Sequence, residues 1–116
     1  EKARDGAVIL GWTGDNGDPD NFMGVLLGCA GAVDGGSNRA QWCNEEFDGL
    51  IQKAKVTADV AERTKLYEEA QVVFKREAPW ATLGHSTVTI PMSTKVSGYV
   101  MDPLGSHRFD GVDIAE

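Results

Sequence analysis

The chain has 116 residues and a formal net charge of −7, with 41% hydrophobic and 25% charged residues. That is globular material, enough for one small domain with a core. The acidic balance leaves no basic patch to neutralise phosphates, which argues against a nucleic-acid partner. No apolar stretch approaches the about 18 residues that a membrane-spanning helix needs.

In chain order, residues 1–5 are polar and read as the frayed end of something upstream. Position 1 is Glu rather than an initiator Met, so the lack of a signal peptide is uninformative. Residues 6–13 predict a strand, and the run Val8-Ile9-Leu10 does not alternate, as expected where both faces are covered. Next comes a glycine-rich loop, Gly-Trp-Thr-Gly-Asp-Asn-Gly-Asp-Pro-Asp-Asn, over residues 11–21. Asp18 is a good N-cap and Pro19 suits a first helical position, so residues 19–27 predict a short helix stopped by Gly28. Gly14 and Gly17 are expected to relax the backbone on both sides of Asp15. The loop then presents one carboxylate at the carboxyl end of a strand, where open α/β sheets place ligands.

Asn44 can cap the next helix, with Glu45 and Glu46 at its positive end and Phe47, Leu50, Ile51 and Ala54 on one face. Asp59 starts another, with Glu62 at capping-box spacing and Leu66, Tyr67, Ala70, Val73 and Phe74 as the buried stripe. Pro79 ends it, and the two helices predict an antiparallel hairpin. Beyond Pro79 the composition turns to Thr, Val, Ile and Trp, so 80–86, 87–92, 95–101 and 109–114 read as extended pieces around a turn at Asp102-Pro103-Leu104-Gly105.

Cys29 and Cys43 bracket a loop containing Gly31, Gly35, Gly36, Ser37 and Asn38. By residue pattern alone they are two free thiols or a disulfide worth about 3 kcal/mol. Asp15 is either an Asx-turn residue beside a helix N-terminus or the partner of a ligand cation. Trp12 is either a core aromatic or a pocket wall, and Thr13 and Gly14 could offer backbone groups to an extended peptide. Asp15, Asp18 and Asp20 do not make a calcium loop, because an EF-hand begun at Asp15 would put Asp20 at the glycine position and Leu26 at the glutamate position. His85 and His107 lack ligand-spaced Cys or His partners. Ser86 lies beside His85 without a nucleophile-elbow motif, leaving a small hydrolase using His85 with Ser86 or Asp15 as a weak alternative. A further alternative is an interaction module that dimerises through exposed apolar surface.

The loop at 11–22, the Gly-Ser-Asn…Trp-Cys piece at 36–43, Ala70-Gln71-Val72-Val73, His85-Ser86-Thr87-Val88 and the Gly-Tyr-Val-Met-Asp-Pro-Leu-Gly run at 98–105 together resemble the peptide-binding solute-binding proteins of bacterial ABC transporters, the dipeptide binders above all. The resemblance covers nearly the whole chain, but members are several times longer, so this looks like their C-terminal part. It implies an α/β fold: a partial periplasmic-binding-protein architecture, with 1–86 in the second ligand-binding lobe and 87–116 crossing back to the first. It implies capture of dipeptides or short peptides in the periplasm and delivery to an inner-membrane permease, with no bond made or broken and no cofactor. By this resemblance Asp15 grips the ligand α-amino group, flanked by Trp12, Thr13 and Gly14, and Cys29 and Cys43 form a disulfide in an oxidising compartment. Some relatives carry oligopeptides or haem. The arginine that dipeptide binders use for the ligand carboxylate lies upstream, and Arg4, Arg39, Arg63, Arg76 and Arg108 sit in no matching motif, so the upstream remainder is an implied partner.

Overall fold

The computed structural model describes residues 7–116, so the expectations for 1–5 and for the first residue of the 6–13 strand lie outside the described residues. The chain divides into two units, one ending at Ala81 and the other spanning Thr82–Glu116. The division follows the change of composition after Pro79.

The first unit holds three helices, α1 (Asp20–Leu27), α2 (Glu45–Val56) and α3 (Val60–Glu77), with a short 3-10 turn at Cys29–Gly31. Each start has a local cause. Asn44 accepts from Phe47 N–H at 3.0 Å, and Asp59 accepts from Glu62 N–H at 2.8 Å. Glu62 does not close the capping box from its side; its carboxylate pairs with Lys53 at 3.4 Å. Pro19 already has helical dihedrals (φ −56°, ψ −27°), and Asp18 accepts from Asp20 N–H at 2.9 Å, so Asp18 caps α1 as its residue type predicts. Helix α3 ends on Ala78 in the left-handed region (φ 47°), followed by Pro79, which cannot continue it.

Lys53 meets Glu62 at one end of the α2–α3 pair and Arg76 meets Glu46 at 2.7 Å at the other, which fixes the pair as antiparallel. These exposed pairs define direction rather than stability. Stability comes from the seam: Phe47, Ile51, Ala54 and Ala70 are fully buried, with Leu66, Tyr67 and Val73 beside them and Leu26 and Leu27 of α1 on top. Trp42 packs edge-on to Phe47 with centroids 5.0 Å apart, and Trp80 packs edge-on to Phe74.

Between α1 and α2 runs a loop closed by the disulfide Cys29–Cys43, with Cα atoms 4.6 Å apart. Its interior is organised by Asn38, which is 1% exposed. Asn38 Nδ2 donates to Gly28 O at 3.2 Å and to Trp42 O at 2.7 Å, tying the two ends of the loop together beside the disulfide. Its own N–H donates to Gly31 O at 3.2 Å and its carbonyl accepts from Gln41 N–H at 3.0 Å. Asp48 of α2 accepts from Cys29 N–H at 2.9 Å, which fastens the loop to the hairpin.

The strand expected at 6–13 does not form over its described part. Val8, Ile9 and Leu10 are 66%, 82% and 63% exposed and take part in no ladder. A strand satisfies its backbone only against a neighbouring strand, and no described segment supplies one here. The same holds for 80–86 and 87–92, which are irregular and, apart from the half-buried Trp80 and Ile90, exposed. In the second unit, β1 (Val96–Ser97) and β2 (Asp113–Ile114) pair antiparallel, Val96 opposite Ile114 and Ser97 opposite Asp113, within the 95–101 and 109–114 pieces. The turn at Asp102–Gly105 closes with Gly105 N–H to Asp102 O at 3.0 Å and Leu104 N–H to the Asp102 carboxylate at 2.7 Å. Among the described residues no helix is long and apolar enough to cross a membrane.

The Asn38 arrangement generates a sharp test. Asn38→Ala strands two carbonyls and lowers unfolding free energy by about 2–3 kcal/mol. Asn38→Asp, nearly the same shape, costs at least as much, because an anion replaces the donor facing those carbonyls. Urea unfolding of the three proteins checks both; an Asn38→Asp protein as stable as its parent contradicts the account.

Candidate functional site

The loop from Gly11 to Asp18 is attached to the helices by two side chains. Asn21, in the first turn of α1, is the first. Its Oδ1 accepts from Trp12 Nε1–H at 2.9 Å and from Asp15 N–H at 3.1 Å, and its Nδ2 donates to Asp15 Oδ2 at 2.9 Å. One amide thus holds the indole, the backbone and the carboxylate of the loop. Asp18 is the second: Oδ1 accepts from Asp20 N–H and from the Tyr67 hydroxyl at 3.1 Å, and Oδ2 accepts from the Arg63 guanidinium. Arg63 also stands over the Tyr67 ring, 5.8 Å from its centroid, a cation–π contact.

These donors move the titrations. The Asp20 N–H holds the Asp18 carboxyl below its ordinary 3.8; burial, the next largest influence, pushes it up, and the Tyr67 hydroxyl and the Arg63 guanidinium pull it down again. Burial first, and then the Asp18 charge, push the Tyr67 hydroxyl up, so it remains a donor.

The structure brings Trp12 and Asp15 together through Asn21. Both are exposed, as is Thr13. Gly14 is half-buried, and a side chain there would meet the Phe22 ring of α1 at 2.9 Å. Gly14 is therefore needed for close approach, whereas Gly17 is needed for its backbone, at φ +73°. Asn16 and Gly17 complete a tight turn in which the Asn16 carbonyl of the side chain accepts from Asp18 N–H at 3.0 Å. Sequence reasoning missed Asn21, Arg63 and Tyr67. Asn21 carried a signal: a poor helix former in the first turn, where its amide can reach back to the loop.

An open cleft of about 210 Å³ lies between the loop and the hairpin, lined by Asn16, Asp18, Asp20, Asn21, Lys55, Arg63 and Tyr67. Trp12, Thr13, Gly14 and Asp15 do not line it. Its charges are committed to each other: Asp18 to Arg63, and Asp20 Oδ2 to Lys55 at 3.3 Å. It is a seam of the scaffold rather than the face on which Asp15 lies. Among the described residues no group of three His, Cys, Asp or Glu side chains is arranged to hold a metal ion. In the second unit, His85 and Ser86 are exposed, and His107 Nδ1 lies 2.9 Å from the Tyr99 hydroxyl beside Phe109.

The Asp15 carboxylate is exposed on a glycine-bearing loop and held from behind by Asn21 of α1. The structure of HbpA2 from Haemophilus parasuis superposes with a TM-score of 0.71 at 35% identity, over 90% of this chain and 20% of that one. By sequence the chain is homologous to the dipeptide-binding proteins. It is 50% identical to the dipeptide-binding protein of Escherichia coli (strain K12), over 98% of this chain and 22% of that protein. It is 48% identical to di/tripeptide-binding protein 4 of Pseudomonas aeruginosa, over 87% and 19%, and 44% identical to heme-binding protein A of Haemophilus influenzae, over 98% and 21%. The chain spans about a fifth of the length of the curated relatives it matches. No family model matches it.

The Asp18 contacts give a pH-dependent test. A carboxyl held below its unfolded value contributes stability above that value and loses it as pH falls through the lowered one. Asp18→Asn is therefore less stable than its parent by about 1 kcal/mol near neutral pH, after allowing for the partial exposure of the Arg63 pair. The gap narrows as pH drops below the ordinary carboxylate value of 3.8. Thermal melts at a series of pH values measure it; a gap that widens in acid contradicts the assignment.

Proposed function

We propose that this chain is the C-terminal part of the substrate-binding component of an ABC peptide importer. In this reading residues 1–86 belong to the second lobe and 87–116 cross back to the first. The whole protein works in the periplasm, takes up dipeptides or short peptides and hands them to an inner-membrane permease. The homology to dipeptide-binding proteins supports the class, and the Cys29–Cys43 disulfide suits an oxidising compartment.

The observation that carries the ligand assignment is the Asp15 carboxylate, exposed and oriented by Asn21. A peptide amino terminus is a cation with three N–H donors, and a carboxylate has acceptor capacity beyond the single bond that Asn21 makes. Trp12, fixed by the same amide, forms a wall for the first side chain, and Thr13 and Gly14 offer main-chain groups to an extended peptide. The carboxyl end of the ligand is taken by the remainder of the protein.

A haem cargo is the competing reading, since a relative at 44% identity is named for haem. Haem has carboxylates and no ammonium, so it gains nothing from Asp15. Calorimetry on the full-length protein separates the two. Asp15→Asn keeps the shape and removes the charge; a charge-assisted hydrogen bond is worth about 1.5–3 kcal/mol, so dipeptide affinity falls by about one to two decades. N-acetylated dipeptides bind the parent poorly and lose much less on going to Asp15→Asn, a double-mutant cycle with the ligand as one partner. Independent penalties would remove Asp15 from the amino-terminal site, and haem binding that falls with Asp15→Asn would favour the other cargo. Release of free amino acids from a bound dipeptide would instead support the hydrolase built on His85.

A further inference from the structure

The amide of Asn21 can lie only one way round. Its oxygen faces two N–H donors, Trp12 Nε1 and the Asp15 backbone, and its nitrogen faces a carboxylate oxygen. Turned over, the amide would set N–H against N–H and oxygen against carboxylate, so the hydrogen-bond network fixes its orientation. The residue is itself held in place, with its N–H donating to Asp18 O at 3.1 Å in the turn that Asp18 caps. We propose that Asn21 is the positioning residue of the amino-terminal site: it sets the orientation of Asp15 and places a neutral N–H donor, rather than a second charge, behind that carboxylate.

An aspartate at position 21 would still accept from Trp12 and from Asp15 N–H. Its other oxygen, however, would stand where Nδ2 now stands, 2.9 Å from Asp15 Oδ2. Two carboxylate oxygens at that distance share a proton or repel, and the pair titrates as a unit with one step raised. The remaining charged groups nearby are already neutralised: Asp18 by Arg63, with Tyr67 donating, and Asp20 by Lys55. None of them substitutes for the donor behind Asp15. A cationic ligand would then compete with the shared proton for the same oxygen.

This inference rests on the assignment of Asp15 to the ligand amino terminus, and the experiment keeps the two apart. Dipeptide affinity is measured by calorimetry on the full-length parent, Asp15→Asn, Asn21→Ala and Asn21→Asp between about pH 5 and 7, where the ligand amine stays protonated. Parent affinity is flat. Asn21→Ala binds at least tenfold more weakly and is also flat, because the clamp is lost without a new titration. Asn21→Asp binds weakly at the acid end and climbs by about tenfold toward pH 7 as the shared proton leaves. A purely structural Asn21 would give an Asn21→Asp offset with no slope, and that result, or parent-like binding by Asn21→Ala, overturns the proposal. A ligand-free readout guards against misfolding: the Trp12 indole N–H resonance keeps its hydrogen-bonded position in Asn21→Asp and loses it in Asn21→Ala. An indole signal identical in parent and Asn21→Ala also overturns it. If Asp15→Asn binds dipeptides as the parent does, the ligand assignment itself falls; if Asp15→Asn weakens binding and the Asn21 variants do not, only the present inference falls.

Discussion

The Asp18 carboxylate is the joint on which the first unit's loop depends. It takes the Asp20 N–H at the start of α1 and the Tyr67 hydroxyl and Arg63 guanidinium of α3. The donors come from two helices, α1 and α3, that are far apart in sequence and meet at Asp18. Beyond Asp18 and the Asn21 amide the loop has little to hold it, because its apolar residues lie open and bury little surface. Polar contacts therefore do the positioning that packing does in the hairpin. They succeed because the hairpin is rigid: Phe47, Ile51 and Ala54 are sealed against α3, and Tyr67 is 5% exposed with its ring in that core and its hydroxyl at the core's edge.

The helical part was legible because its causes are local. Asn44 and Asp59 announce helix starts by residue type, and the stripe from Leu66 to Val73 fixes the buried face by spacing alone. The extended parts were not legible in the same way. Val8-Ile9-Leu10 has strand composition, but a ladder is a property of two segments, and composition describes one. The small β1–β2 pair shows the converse, with a short ladder inside pieces that looked extended throughout.

The candidate site divides along the same line. Asp15 and Trp12 stood out by their loop and their spacing. The amide that joins them did not, because Asn21 gains its importance from which donors and acceptors surround it after folding. Asp18 was visible as a cap, whereas its partners Arg63 and Tyr67, on a helix reached through the disulfide loop and α2, were visible only as a surface charge and a core aromatic. Asn38 illustrates the point for stability: one buried amide in a glycine-rich stretch closes the loop that the two cysteines staple.

The uncovered run at Val8–Leu10 has a consequence for handling the polypeptide. It is β-prone, uncharged and accessible, with backbone groups outside any sheet, and such a segment is a template for intermolecular pairing. What opposes that pairing is the net charge of −7, which makes copies repel. Repulsion between exposed charges is screened by salt, whereas the attraction between apolar strands is not. Colloidal behaviour is thus set by ionic strength: dilute buffer favours dispersed chains, and concentrated salt favours fibrous or amorphous precipitate seeded at the amino-terminal side of the Gly11–Asp18 loop.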